Sequence, residues 1–272
     1  MTSLHGGTCD RGRAWPGWAR AFAGVLVATS RVSLPVLGLA FARDTTIEPR
    51  VMAGVLVGLG ALPAAAAWLL ERAFAADIAL DPDALRVRRS DRSIEIPRGS
   101  LAAVEPWRIP LPGAGVALRL GSGAHAPVGL EPAPPALIEG NEHPNLAFAA
   151  ARRAAPLAVL RHPLVRFGLF GLVPTAALFH AHQVIAWGGL FGQYYTEGLA
   201  AWLRSLALTW GSTLVGIVLY ASVVRAAVEV PAFALAWLAP RRATLVRRCA
   251  EWAAAIAYYA GVPAFLALLF LT

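Results

Sequence analysis

The sequence predicts a mainly α-helical, polytopic membrane bundle of about five spans carrying one small β-rich insert, and three observations lead there. Of 272 residues, 57% are hydrophobic and only 15% charged, against about a quarter charged in an ordinary soluble domain. A soluble chain of this length needs a charged surface around its core, so the deficit points to lipid as a second solvent. Mean hydropathy of +0.57 agrees. Five apolar runs have the ~20-residue length that spans the hydrocarbon layer, and between the second and third of them the composition switches to charges, prolines and period-two alternation.

The spans, in chain order, are Ala21–Phe41, Val51–Leu70, Phe167–Trp187, Leu206–Val224 and Trp252–Leu271. The second and fifth carry no charge; the first holds Arg31 near its middle, and the fourth runs on past Arg225 and Glu229 into the apolar stretch Val230–Leu238. Arginine placement orients them, because basic flanks are retained in the cytoplasm. With the N-terminus inside, three Arg fall in residues 1–20, twelve in 71–166 and five in 225–251, leaving Arg43, Arg50 and Arg204 outside. The C-terminus then lies outside. The organisation expected is a cytoplasmic N-terminus (1–20), a transmembrane helical hairpin (21–70), a cytoplasmic β-rich insert ending in an amphipathic helix (71–160) and a three-span domain (161–272).

All 24 basic residues are arginine, within a formal charge of +8, which excludes a lysine Schiff base, a lysine general base and a P-loop lysine. The Ala, Gly, Pro and Arg bias is that of a high-GC bacterial genome, so the bacterial inner membrane is the expected location. Ala40-Phe41-Ala42 resembles a cleavage site, but the preceding run is long for a signal peptide and interrupted by Arg31 and Pro35. Cys9 and Cys249 would both face the reducing cytoplasm, where two free thiols are expected.

Within the insert, Asp81-Pro82-Asp83 reads as a turn, Leu85–Arg89 alternates, Ser90-Asp91-Arg92 turns again and Ser93–Pro97 alternates back. This is a β-hairpin with Leu85, Val87, Ile94 and Ile96 on one face. Leu101 and Val104 follow, then the breakers Pro110, Pro112 and Gly113, a strand Val116–Leu120 and a short one around Val128–Leu130. This succession, after two apolar spans, resembles the bacterial membrane proteins that carry a pleckstrin-homology-like domain, over about residues 21–160. The resemblance implies a small curved sheet closed by a helix, for which Asn145–Leu160 is the candidate, and it brings no catalytic residues.

Arg86, Arg88, Arg89, Arg92 and Arg98 form either a basic surface for anionic lipid or a solvated strand face. Twelve Arg against ten acids across 71–166 favour the latter, and nucleic-acid binding lacks the basic face it requires. Helix 145–160 and the segment Pro231–Leu238, with Phe233 and Trp237 at i and i+4, are candidates for interfacial helices. The alternative for the second is one long, kinked fourth span.

Ionisable groups within spans are costly and are functional candidates. Arg31 could bind a lipid phosphate or pair inside the bundle, with Glu229 or Glu251 as conceivable acids. His180-Ala181-His182-Gln183 is the most distinctive polar run in any span. Two residues apart on a helix, the histidines face nearly opposite ways and cannot jointly hold a metal, whereas His180 and Gln183 share a face. With Tyr194, Tyr195 and Glu197 in the following loop they could line an outward polar pocket with Glu197 and a histidine as acid and base; the competing reading is an aromatic belt with histidines bonded between helices. Gly54-Val55-Leu56-Val57-Gly58 is a small-residue packing motif.

No G-x-S-x-G, H-E-x-x-H, paired C-x-x-C or Walker motif occurs, and no cofactor or metal is expected. The sequence thus points to a non-enzymatic accessory, assembly or scaffolding subunit binding membrane lipid and another membrane protein. The alternative is a membrane enzyme or small-molecule-binding protein built on the His/Tyr/Glu pocket.

Overall fold

The computed structural model describes residues 8–43, 48–90, 92–134, 137, 143–154 and 162–264. They divide into two compact units, one of Met1–Val32, Val57–Arg153 and Phe233–Ala243, the other of Ser33–Leu56, Ala154–Ala232 and Thr244–Thr272.

The first unit is built on a curled, antiparallel seven-stranded sheet: β1 (Thr8–Trp15), β2 (Ala75–Leu80), β3 (Ala84–Arg88), β4 (Ser93–Pro97), β5 (Leu101–Pro106), β6 (Val116–Leu120) and β7 (Gly129–Glu131), ordered β4-β3-β2-β1-β7-β6-β5. The predicted hairpin forms in the expected register, Leu85 opposite Ile96 and Val87 opposite Ile94. Those alternate residues enter a core with Ala14, Ile78, Val116, Leu118 and Leu130, as period-two alternation requires. Helix α4 (Pro144–Arg153) closes the sheet, with Leu146 in that core. Its buried Asn145 donates through Nδ2 to the carbonyls of Trp107 and Arg108, so the helix is pinned to the chain leaving β5. Residues 155–160 of the predicted helix lie outside the described residues.

Strand β1 lies in residues 1–20, expected as the cytoplasmic N-terminus, where the sequence predicts no strand. It is central to the sheet, pairing with β2 from Thr8↔Leu80 to Arg13↔Ala75 and with β7 from Arg13↔Glu131 to Trp15↔Gly129. Between these paired strands the chain runs through the apolar helices of the predicted hairpin: α1 (Gly17–Arg43), then α2 (Pro49–Val55), a π-helical stretch Leu56–Ala61 and α3 (Leu62–Ala73). At its foot Ala14 donates its backbone N–H to the Phe74 carbonyl. Around it Trp15, Ala19, Ala23, Phe74 and Trp107 form a second cluster on the sheet's other face.

In the second unit a π-helical turn Leu164–Leu169 leads into α5 (Phe170–Trp187), which ends at Gly188 with φ +69°. That left-handed position favours glycine and closes the helix. The short α6 (Gly192–Glu197) follows, then the 40-residue α7 (Leu199–Leu238) and α8 (Ala243–Tyr259). Helix α7 is continuous through Pro231, the long-span alternative, and its end from Phe233 belongs to the first unit. Phe233 and Trp237 do share a face, but it packs on the insert: Phe233 meets Phe148 edge-on at 5.5 Å and Trp237 meets His143 at 6.1 Å.

Among the described residues four helices are long and apolar enough to cross a membrane: Gly17–Arg43, Arg50–Ala73, Leu164–Trp187 and Leu199–Leu238. They correspond to the first four predicted spans. Residues 265–271 of the fifth lie outside the described residues.

Candidate functional site

In the first unit a group of charged and aromatic side chains gathers where β1 and β2 meet the apolar helices. Alternation along β1 puts Arg11, Arg13 and Trp15 on the face away from Ala14 and the sheet core. Arg13 bridges two acids, donating to Glu71 Oε2 at 2.7 Å and Glu131 Oε1 at 3.2 Å. Trp15, fully buried, donates its indole N–H to Glu131 Oε2 at 2.7 Å. Burial raises the Glu131 carboxyl above its ordinary value, and the Arg13 charge and Trp15 hydrogen bond offset this only in part.

Guanidinium groups stack on the surrounding rings. Arg72 lies over Trp68 at 3.9 Å, Arg20 over Trp107 at 4.7 Å and Arg89 over Phe74 at 4.8 Å. Trp18 meets Phe74 edge-on and is itself 68% exposed. Such stacking holds a cation beside apolar surface while leaving its edge N–H groups available for hydrogen bonds. Between β1 and the end of α3 the collar opens into a cavity of about 340 Å³ bordered by Arg11, Arg13, Trp68, Glu71, Arg72 and Ala75. Three arginines and Glu71 border it, with Arg13 shared between Glu71 and Glu131, and Asp77 stands opposite Arg11 in the β1–β2 register.

The collar was missed in the sequence because its arginines lie about sixty residues apart in the chain. The signal present was Arg13-Ala14-Trp15 before the first span and Arg72-Ala73-Phe74 after the second. Of the insert arginines, Arg89 joins the collar over Phe74, whereas Arg86 is exposed and pairs with Asp81 at 3.1 Å and Glu95 at 3.4 Å.

In the second unit the predicted polar run is divided. Gln183 is fully buried and donates through Nε2 to Gln193 Oε1 at 2.8 Å; Gln193 in turn donates to Glu197 Oε2 at 2.9 Å. His180 and His182 are exposed, His180 among Ala177, Ala181, Val184 and Ile185. The 60° between positions i and i+3 places the edge of the packed face between His180 and Gln183. Tyr194 and Tyr195 are exposed and touch one another edge-on at 5.2 Å. Gln193, not among the residues predicted for the pocket, links Gln183 to Glu197.

Arg31 is exposed on α1, and its charge contributes to lowering the Glu131 pKa. The acids considered for it have other partners. Arg247, fully buried on α8, donates to Glu229 at 2.8 and 2.9 Å and to Glu251 at 3.0 Å, while Arg225 pairs with Glu229 and with Glu251 at 3.1 Å. Gly54 and Gly58 have open space where a Cβ would sit, and the π-helical stretch from Leu56 interrupts the four-residue register assumed for their motif. No cluster of three His, Cys, Asp or Glu with metal-binding geometry occurs among the described residues. Comparison with known protein families, curated proteins and solved structures returns no match.

Proposed function

We propose that the chain is a non-enzymatic integral protein of the bacterial inner membrane, an accessory, assembly or scaffolding subunit. It presents the seven-stranded sheet at the cytoplasmic face, where it binds another membrane protein or lipid. The observation that carries this reading is the pairing of β1 with β2 on either side of the apolar hairpin. A sheet whose neighbouring strands run directly into two apolar helices is tied to the membrane surface at two points, which suits presenting a surface better than enclosing a substrate.

Three further observations support it. A curled antiparallel sheet with α4 packed on its core supports the proposed pleckstrin-homology-like character of the insert. Arginine and tryptophan gather at the hairpin's foot, as they do at cytoplasmic membrane boundaries. The candidate helices bury only 11–22% of their most apolar windows inside the chain, leaving broad apolar faces for lipid or a partner's helices.

The test is affinity purification of the tagged chain from its own membranes in mild detergent, with mass spectrometry, alongside a strain lacking the chain. A membrane protein recovered in fixed ratio, whose assembly fails in the deletion strain, is the expected result. A chain recovered alone, with membrane complexes unchanged by its deletion, contradicts the accessory role.

A further inference from the structure

We propose that the opening between β1 and the end of α3 binds the phosphate of an anionic phospholipid, with Arg11 and Arg72 as its principal ligands and Trp68 as the wall against the glycerol backbone. The inference rests on the membrane reading above and assigns one lipid to one place.

Three independent features converge there. The first is charge: Arg11, Arg13 and Arg72 border the cavity with Glu71; Arg13 is shared by Glu71 at 2.7 Å and Glu131 at 3.2 Å, and Asp77 stands opposite Arg11 in the β1–β2 register, which leaves Arg72 and Arg11 to meet a ligand. Planar guanidinium forks are the side chains best matched to phosphate oxygens. The second is pre-organisation. Arg72 is stacked on Trp68 at 3.9 Å, and Arg13 is held from below by Glu131; less side-chain freedom is therefore lost on binding. The third is position. Arg72 sits in the last turn of α3, at the end of the apolar helical stretch Arg50–Ala73 that is long enough to cross a bilayer, which is the depth of lipid headgroups. Leu62 and Leu69 of α3 are 61% and 59% exposed, and Trp68 is 50% exposed, so an acyl chain can follow the helix while its phosphate occupies the opening.

A soluble phosphate compound would use the same guanidinium groups but not the apolar flank of α3. This distinguishes the two sources.

The full chain is purified in detergent, delipidated and titrated with phosphatidylglycerol while bound lipids are counted by native mass spectrometry. Arg11→Gln/Arg72→Gln should weaken the tightest lipid roughly tenfold or more, the loss expected for removing charge-assisted hydrogen bonds. Ala75→Leu, which fills the opening without changing its charge, should weaken it as well. Arg98→Gln, on the far part of the sheet, should not. Glycerol phosphate and inorganic phosphate should fail to compete at millimolar concentration. Wild-type affinity in the double variant or in Ala75→Leu, equal weakening by Arg98→Gln, or competition by the soluble phosphates overturns the proposal. Failure of the wild-type chain to float with reconstituted vesicles would instead overturn the membrane reading beneath it.

Discussion

The indole N–H of Trp15 reaches the Glu131 carboxylate at 2.7 Å, joining the last residue of β1 to the last residue of β7 across 116 positions of sequence. Glu131 also receives Arg13, so a single buried acid anchors the strand that precedes the apolar hairpin to the strand that ends the sheet. The fold therefore depends on a carboxylate whose burial works against its charge.

That conflict predicts a pH dependence. The folded Glu131 pKa lies above its ordinary 4.5, so its contribution to stability is complete below about pH 4.5 and declines as pH rises through the folded value. Glu131→Gln keeps an acceptor for Trp15 and removes the titration. The melting temperature of the variant relative to wild type should climb between pH 4 and pH 8. A relative melting temperature that falls instead would show the Arg13 ion pair outweighing desolvation.

Gly115 should tolerate no side chain. A Cβ there would fall against the Leu130 carbonyl and within 2.7 Å of the Trp107 ring, whereas a Cβ at Gly99 meets nothing. Gly115→Ala is expected to cost about 2 kcal/mol or more and Gly99→Ala a few tenths at most, read from thermal or denaturant unfolding in detergent. Equal effects would contradict the close approach of β6 and β7.

Much of the insert was readable from local pattern, because Leu85, Val87, Ile94 and Ile96 are near in sequence and alternate cleanly. Strand β1 was not, because Thr8–Trp15 reads T-C-D-R-G-R-A-W with no apolar alternation, and its partners lie about sixty and more than a hundred residues away. Only pairing, which periodicity does not register, makes it a strand. The collar is hidden for the same reason. The boundary at Trp187–Gly188 was legible because an apolar run meets a glycine. The end of α7 was legible only as one of two alternatives, since Arg225 and Glu229 interrupt the apolar run, and the structure carries the helix on through Pro231 to Leu238.

The ion pairs between α7 and α8 should be costly to unbalance. Arg247→Met leaves Glu229 and Glu251 without their buried partner and is expected to lose about 3–5 kcal/mol. Adding Glu229→Gln and Glu251→Gln should restore much of that. A single variant as stable as wild type would show that Arg225 alone neutralises both acids.

The glutamine chain predicts an order of effects. Gln183 Oε1 has no hydrogen-bond partner among the described residues, so Gln183→Leu gives up one hydrogen bond and exchanges that unmet acceptor for one at Gln193 Oε1, nearer the surface. Its expected cost is under about 1 kcal/mol. Gln193→Leu strands the Gln183 amide in a buried site and should cost about 1–3 kcal/mol, read from unfolding midpoints. The reverse order would place the structural weight on Gln183.

The central claim is that β1 and the insert lie together on the cytoplasmic side, with the hairpin between them in the membrane. It is tested most directly by labelling single-cysteine variants in sealed cells with a membrane-impermeant maleimide, after Cys9 and Cys249 are changed to serine. Arg11→Cys and Ser122→Cys should both stay unlabelled until the membrane is permeabilised, while Tyr195→Cys reacts from outside. Labelling of Arg11→Cys and Ser122→Cys from opposite sides would contradict the paired strands and the account built on them.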